Sequence, residues 1–265
     1  MRGENIMDDK ETKETKNFLY GFYALRFYLP FSGLARSWQR FWKKRLNKKS
    51  QLLQQINLPK ISWKKCTPVR KIKIWETETK NGNVRISELA MLNALAAHCE
   101  DGANIFEIGT FDGRTTLNMT FSSSSNCRIY TLDLMPEMET RFNLAAGERH
   151  MVEVKVPAER LMKHLEAGEQ AVQKIRRLFG DSAKFDFSPF KNSCSLVFVD
   201  GSHAYDYVKS DTRNAMKIVK PGGVIVWHDY GIWSGVTKAL EEIEAEEKIG
   251  LRNIRGTSLV FWKKV

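Results

Sequence analysis

From about residue 85 onward, two hydrophobic rhythms alternate along the chain. Five short apolar runs, NIFEI (104–108), RIYTL (128–132), KIRRLF (174–179), SLVFV (195–199) and GVIVW (223–227), have the length and β-branched content of buried strands. Between them, apolar residues recur at helical spacing near 113–121, 137–148, 206–219 and 234–248. Upstream, Ser87 is placed to cap a helix running to about His98, with Ile86 and Met91 as its hydrophobic staple. The C-terminal LRNIRGTSLVFWKKV reads as two short strands joined by a turn at Gly256. Strands alternating with amphipathic helices predict an α/β fold, a doubly wound and mostly parallel sheet with helices on both faces.

The first 80 residues follow a different pattern. Residues 1–16 (MRGENIMDDKETKETK) are polar and mixed in charge, as in a disordered tail and unlike a cleaved secretory signal. Residues 17–49 carry eight Lys and Arg, no acid, and 10 of the chain's 29 aromatic residues. Phe18, Phe22, Leu25 and Leu29 make one helical stripe that ends at Pro30. Leu34, Trp38, Phe41 and Leu46 make a second, with Arg36, Arg40, Lys43 and Lys44 largely off it. A basic helix with aromatics on its apolar side either lies in a membrane interface or packs on a protein, including a second copy of the chain. Residues 60–82, Lys-rich with Trp63 and Trp75, read as a linker or as a cap over a site. The expected organisation is a tail over 1–16, a basic extension with linker or cap over 17–80, and a ligand-binding catalytic domain over 81–265.

Charge sharpens this division. The net charge of +11 is confined to residues 1–80, which hold 19 Lys and Arg against 7 Asp and Glu, while 81–265 hold 23 against 24. A nucleic-acid enzyme concentrates positive charge around its site, so no nucleic-acid partner is expected. Cys66, Cys99, Cys127 and Cys194 show no CxxC spacing and fit reduced thiols in a cytoplasmic protein. No apolar run reaches the length of a spanning helix, so attachment through 17–49 would be peripheral, on the inner face of the membrane.

In a doubly wound sheet, ligands bind beyond the C-terminal strand ends. The loop after NIFEI carries Glu107-x-Gly109-x-x-x-Gly113, which lacks the middle glycine of a dinucleotide fingerprint. With Glu107 before it and Asp112 inside it, this loop disfavours a pyrophosphate and tolerates a ligand bearing an amino group and a sulfonium. Asp133, closing the second strand, is placed to accept hydrogen bonds from ribose hydroxyls. Asp181, in Gly180-Asp181-Ser182, is placed to receive an adenine amino group. Taken singly, Asp133 also reads as a helix cap and Asp181 as a turn residue.

EIGTFDGRTT, TLD, GDS, LVFVDGSHAYDYVKSD and KPGGVIVWHDY occur in the order of the motifs of class I S-adenosylmethionine-dependent methyltransferases. The chain resembles that family over residues 85–262, and within it the small-molecule O-methyltransferase-like branch found in bacteria. The resemblance implies a Rossmann-like sheet of seven strands with the last one reversed, and S-adenosylmethionine as cofactor. It implies Glu107, Gly109, Thr110 and Gly113 around the methionine part, Asp133 on the ribose, Asp181 and Ser182 at the adenine, and Asp200 in the same pocket.

Methyl transfer is an in-line displacement, so the protein aligns two groups and deprotonates the acceptor where needed. Asp200 and Asp229 end the fourth and fifth strands and face one crevice, where two carboxylates can hold Mg²⁺. Catechol-type relatives have an Asp at the first position and an Asp-Asn pair at the second, where this chain has Asp229-Tyr230, so one ligand of that pattern is missing. His203 is the first general-base candidate and His228 the second, the bland alternative being that His203 only closes the turn before the next helix. Asp206 and Asp211 read as helix-start and surface acids, and Trp227 and Trp233 as acceptor-pocket or core residues. The expected function is methyl transfer to an oxygen of a small-molecule, saccharide or lipid-linked acceptor. Alternatives are aminopropyl transfer on the same fold, or a binding module acting through its N-terminal segment.

Overall fold

The computed structural model describes residues 56–78 and 84–265. In chain order its elements are β1 (Lys60–Ile61), α1 (Ile86–Ala96), β2 (Asn104–Ile108), α2 (Arg114–Ser122), β3 (Arg128–Asp133), α3 (Glu148–Val154) and α4 (Glu159–Glu166). They continue with β4 (Ile175–Phe179), β5 (Cys194–Val199), α5 (Tyr205–Ile218), β6 (Val219–Trp227), α6 (Ser234–Glu247), β7 (Arg252–Ile254) and β8 (Val260–Lys263). The five apolar runs are β2 to β6. The strands form one sheet in the order β1-β7-β8-β6-β5-β2-β3-β4, parallel except for β8, which runs antiparallel to β6 and β7.

Side-chain alternation along the strands builds a core on each face. On one face Ile105, Ile129, Leu196 and Phe198 pack under α1, α2 and α4 through Leu89, Leu92, Leu117 and Leu161. On the other, Phe106, Val197, Ile225 and Trp227 pack under α5 and α6 through Val208, Ile218, Leu240 and Ile243. β5 is buried along its whole length, as a strand covered on both faces must be. The β7–β8 turn contains Gly256 at φ +88°, a left-handed conformation that glycine adopts without strain.

Several expectations are corrected. The sheet has eight strands rather than seven, because β1 adds in parallel to β7. The segment 60–78 is therefore no linker; Trp63, Ile72 and Ile74 are buried in the first core. The helix expected over 137–148 does not form, and α3 and α4 follow instead over 148–166. Pro136 opens this stretch, and the Arg141 N–H donates to Asp181 Oδ2 at 2.6 Å, a tertiary partner in place of a helical carbonyl. Ser87 does not cap α1. The helix begins at Ile86, and Glu88 accepts the Arg85 N–H at 3.2 Å from inside the first turn. The tail 1–16 and the basic aromatic segment 17–49 lie outside the described residues.

Asp211 is not a surface acid. It is fully buried on α5, and burial, reinforced by the nearby Asp181 charge, pushes its carboxyl up to about 7 from 3.8. The native state then holds a proton that the unfolded chain releases, so this group lowers stability as pH rises from about 4 to about 7. Asp211→Asn is expected to gain stability relative to the wild type across that window. Melting curves of both proteins at pH 4, 5.5 and 7 test this; a constant offset between them would contradict it.

Candidate active site

The glycine loop between β2 and α2 is shaped first by the protein itself. Gly109 has φ +100°, and a Cβ placed there would lie 2.1 Å from the Asp200 carbonyl oxygen. Only a bare backbone lets the loop after β2 touch the loop after β5, and this contact forms the floor of the main pocket. Gly113 has φ +83°, and its Cβ would lie 2.7 Å from Leu161 Cβ on α4. Its role is helix packing, so it does not line the pocket as expected. Asp112 turns to Arg160 Nε at 2.8 Å, which offsets the negative charge invoked against a pyrophosphate.

The pocket lies beyond the C-terminal ends of β2, β3, β4 and β5. Thr110, Asp133, Asp181, Ser182, Asp200 and His203 line it, with an apolar wall that includes Ile108, Leu132, Leu134, Leu144, Met151 and Val152. Asp133 pairs with Lys155 at 2.7 Å; burial raises its pKa, and Lys155 opposes that shift. Asp181 accepts the backbone N–H groups of Arg141 at 2.6 Å and Ala183 at 3.0 Å, tying the loop after β3 to the loop after β4. Glu107 does not reach the pocket wall. It is buried beneath the loop, where Oε2 accepts from Thr116 Oγ1 and, at 2.6 Å, from Thr131 Oγ1. Its Oε1 has no hydrogen-bond partner, and burial pushes its carboxyl up to about 8.

Beside the Asp200 end of the pocket, acids and imidazoles alternate in one continuous cluster. Buried Glu88 Oε2 lies 3.1 Å from His228 Nε2, and His228 Nδ1 lies 3.0 Å from Asp200 and 3.3 Å from Asp229. Asp229 Oδ2 lies 2.8 Å from His203 Nε2, and His203 Nδ1 pairs with Glu148. Burial alone would deprotonate both imidazoles. For His203 the hydrogen bonds to Asp229 and Glu148 outweigh it and raise the pKa to about 9; for His228 the charges of Asp200, Asp229 and Glu88 do the same. Asp229 is correspondingly held low, chiefly by His228 against the opposing effect of burial.

His203, expected as the general base, is held between two acids. Both ring nitrogens are engaged, by Glu148 and Asp229, and these two hydrogen bonds favour the charged form of the ring. His228 is in the same condition. The carboxylates of Asp200 and Asp229 lie beside these imidazoles, and Asp200 is on the pocket wall. Asp229 sits at φ +62°, unusual for a residue with a side chain, a kind of strain found at functional sites.

Among the described residues, Asp200, His203 and Asp229 are also the group able to share a metal ion, their ligand atoms lying within 4.8 Å of one another. Tyr230 adds nothing to that set. Its hydroxyl accepts the N–H groups of Asn57 and Leu58 and donates to Glu241 at 2.7 Å, fastening the N-terminal segment to α6. Trp227 is a core residue whose Nε1–H donates to Thr212 Oγ1 at 2.9 Å. Trp233 does reach the site, stacking on His203 with centroids 4.6 Å apart. Reading the sequence missed Glu88, Glu148 and Lys155. Glu88 left one trace, a lone acid in the apolar run SELAMLNALA; the other two sit in a stretch read as helix or left unassigned.

Residues 106–230 match a family model described as a methyltransferase domain. No curated protein matches the chain. Among solved structures, the O-methyltransferase NovP superposes with a TM-score of 0.55 at 17% identity, over 69% of this chain and 81% of NovP. The calicheamicin methyltransferase CalS11 gives 0.51 at 15%, over 68% and 79%. The Podospora anserina methyltransferase PaMTH1, solved with S-adenosylhomocysteine, gives 0.51 at 14%, over 69% and 80%. At such identities these likenesses speak for the fold. Together with the order of the sheet, they show that the chain has the Rossmann-like fold of class I methyltransferases, with residues 106–230 similar to a methyltransferase domain.

Proposed function

We propose that the protein transfers a methyl group from S-adenosylmethionine to a hydroxyl oxygen of a small molecule. The observation that carries this is a single cavity running from Asp133, the strand-end acid suited to a ribose, to Glu148, Asp200 and His203. The residues present fit the cofactor. Asp133 accepts hydrogen bonds from ribose hydroxyls, Ser182 and the chain beside Asp181 border the adenine, and Leu132, Leu134 and Met151 cover its faces. When bound, the cofactor supplies a methyl group on a positively charged sulfur. The protein aligns the acceptor oxygen with that methyl and excludes water. Asp200 and Asp229 take up the acceptor proton, while His203 and His228 keep these two acids from repelling each other.

A divalent cation such as Mg²⁺ fits the same place, held by Asp200 and Asp229 with water completing its shell; His203 could join only by giving up a proton. A bound cation would lower the pKa of a hydroxyl ligand. Chelation with EDTA is expected to lower turnover, and Mg²⁺ to restore it, with affinity for S-adenosylhomocysteine unchanged. Full turnover in EDTA refutes the metal. Calorimetry with S-adenosylmethionine, S-adenosylhomocysteine and decarboxylated S-adenosylmethionine tests the main reading; preference for the decarboxylated compound would favour aminopropyl transfer instead. An intact acid cluster argues against a module that has lost its chemistry.

For residues 17–49 we propose peripheral contact with an anionic membrane, on sequence grounds alone. Eight uncompensated basic residues are attracted by about 1 kcal/mol each near such a surface. Among the described residues no helix is long and apolar enough to cross a membrane. The full chain is expected to float with anionic liposomes at low salt. Failure to float, combined with an oligomer that becomes monomeric when 1–49 are deleted, would make the segment an assembly element.

A further inference from the structure

The cofactor pocket holds one cation that the methyl-transfer reading does not use. Lys155 follows directly on α3, and its Nζ lies 2.7 Å from Asp133 Oδ2; both side chains are less than 10% exposed. The position of this lysine is set by the whole helix. Glu148, Met151, Val152 and Lys155 fall on one helical face at spacings of three, four and seven, and all four line the pocket. The far end of that face is anchored too. Glu148 accepts from Ser202 Oγ and from the His203 N–H, both at 2.6 Å. The opposite face carries exposed Val154, and Val156 beyond it is also exposed, so α3 covers the pocket with one side only.

We infer that Lys155 is a cofactor-binding residue, its ammonium acting with Asp133 as a donor–acceptor pair for the cis-diol of a ribose. This rests on the cofactor reading given above. A ribose hydroxyl both donates and accepts, and a lone carboxylate can satisfy only its donors. Buried hydroxyl oxygens left without a donor carry a desolvation cost. An ammonium has three N–H groups, and Asp133 is the one hydrogen-bond acceptor Lys155 meets among the described residues. Two N–H groups are therefore available beside the carboxylate, where the diol oxygens need them. The same contact ties α3 to the cofactor, and through Glu148 it ties α3 to His203.

The test is calorimetry on the full chain with S-adenosylhomocysteine and its 2′,3′-dideoxy analogue, using Lys155→Met, Asp133→Asn and the double variant. Lys155→Met is expected to weaken S-adenosylhomocysteine about tenfold, the usual cost of a hydrogen bond from a charged donor, and to leave the dideoxy analogue nearly unaffected. The loss should persist in the Asp133→Asn background, and Lys155→Arg should recover part of it. Equal losses on both ligands would mean that Lys155 merely supports the fold. A loss that vanishes beside Asp133→Asn would mean that Lys155 only neutralises the acid; either result overturns the inference. If the wild type binds neither ligand, the cofactor reading itself fails and the inference falls with it.

Discussion

Asp229→Asn is expected to lower kcat by about 10²–10⁴-fold, the range for loss of an acid–base group, while affinity for S-adenosylhomocysteine holds. Asparagine is the right replacement because position 229 has φ +62°, a conformation asparagine tolerates better than alanine does. The substitution removes a charge that meets His203 Nε2 at 2.8 Å and His228 Nδ1 at 3.3 Å. It takes away one of the two acids proposed to act on the acceptor. It also withdraws support for the imidazolium of His203, whose pKa should fall from about 9. The stability contributed by that imidazolium is complete below pH 6.5 and lost as pH rises to about 9; in the variant the loss should come at lower pH. Steady-state kinetics at saturating cofactor, with calorimetry alongside, separates the effects. Unchanged kcat would remove Asp229 from the catalytic machinery, and a proportional loss of cofactor affinity would make it a residue of the fold.

Gly109→Ala is expected to be the most damaging single substitution for stability. The new methyl would lie 2.1 Å from a backbone oxygen at φ +100°, so neither a rotamer change nor a flexible neighbour can absorb it. The contact it breaks joins β2 to β5 at the centre of the sheet. A cost of about 4 kcal/mol or more is the scale of such backbone and overpacking effects. For a domain of this size it would lower Tm by about 10 °C. Gly102→Ala is the control: it too has positive φ, at +76°, but nothing lies within 4 Å of its Cβ. A Gly109→Ala protein that melts no lower than the Gly102→Ala protein would show that positive φ alone, and not the Asp200 contact, demands glycine here.

The reversed last strand was implied by the family resemblance, while the chain order of β2 to β8 and the strand-end positions of Asp133, Asp181, Asp200 and Asp229 were legible in the amino-acid sequence. These features are local or periodic. An apolar run of five residues bounded by turns, or an acid at its end, carries its meaning without knowledge of its neighbours. The resemblance to the methyltransferase family rested on the same short motifs and led to the correct fold.

Tertiary contacts decided the rest. β1 has only two residues and is a strand because β7 offers an edge for it. The stretch 137–147 has helical spacing but stays irregular because Asp181 and the pocket take its backbone. Gly113 resembles a ligand-binding glycine and serves helix packing instead. His203 resembles a free base and has both ring nitrogens engaged, because Glu148 and Asp229 approach it from elements 55 and 26 residues away in the chain. Protonation state follows from burial and neighbouring charge. Periodicity told which elements exist and which ends of them face a ligand. Whether a given carboxylate or imidazole there is free, paired or protonated depended on groups distant in the chain, and only the folded structure brings those together.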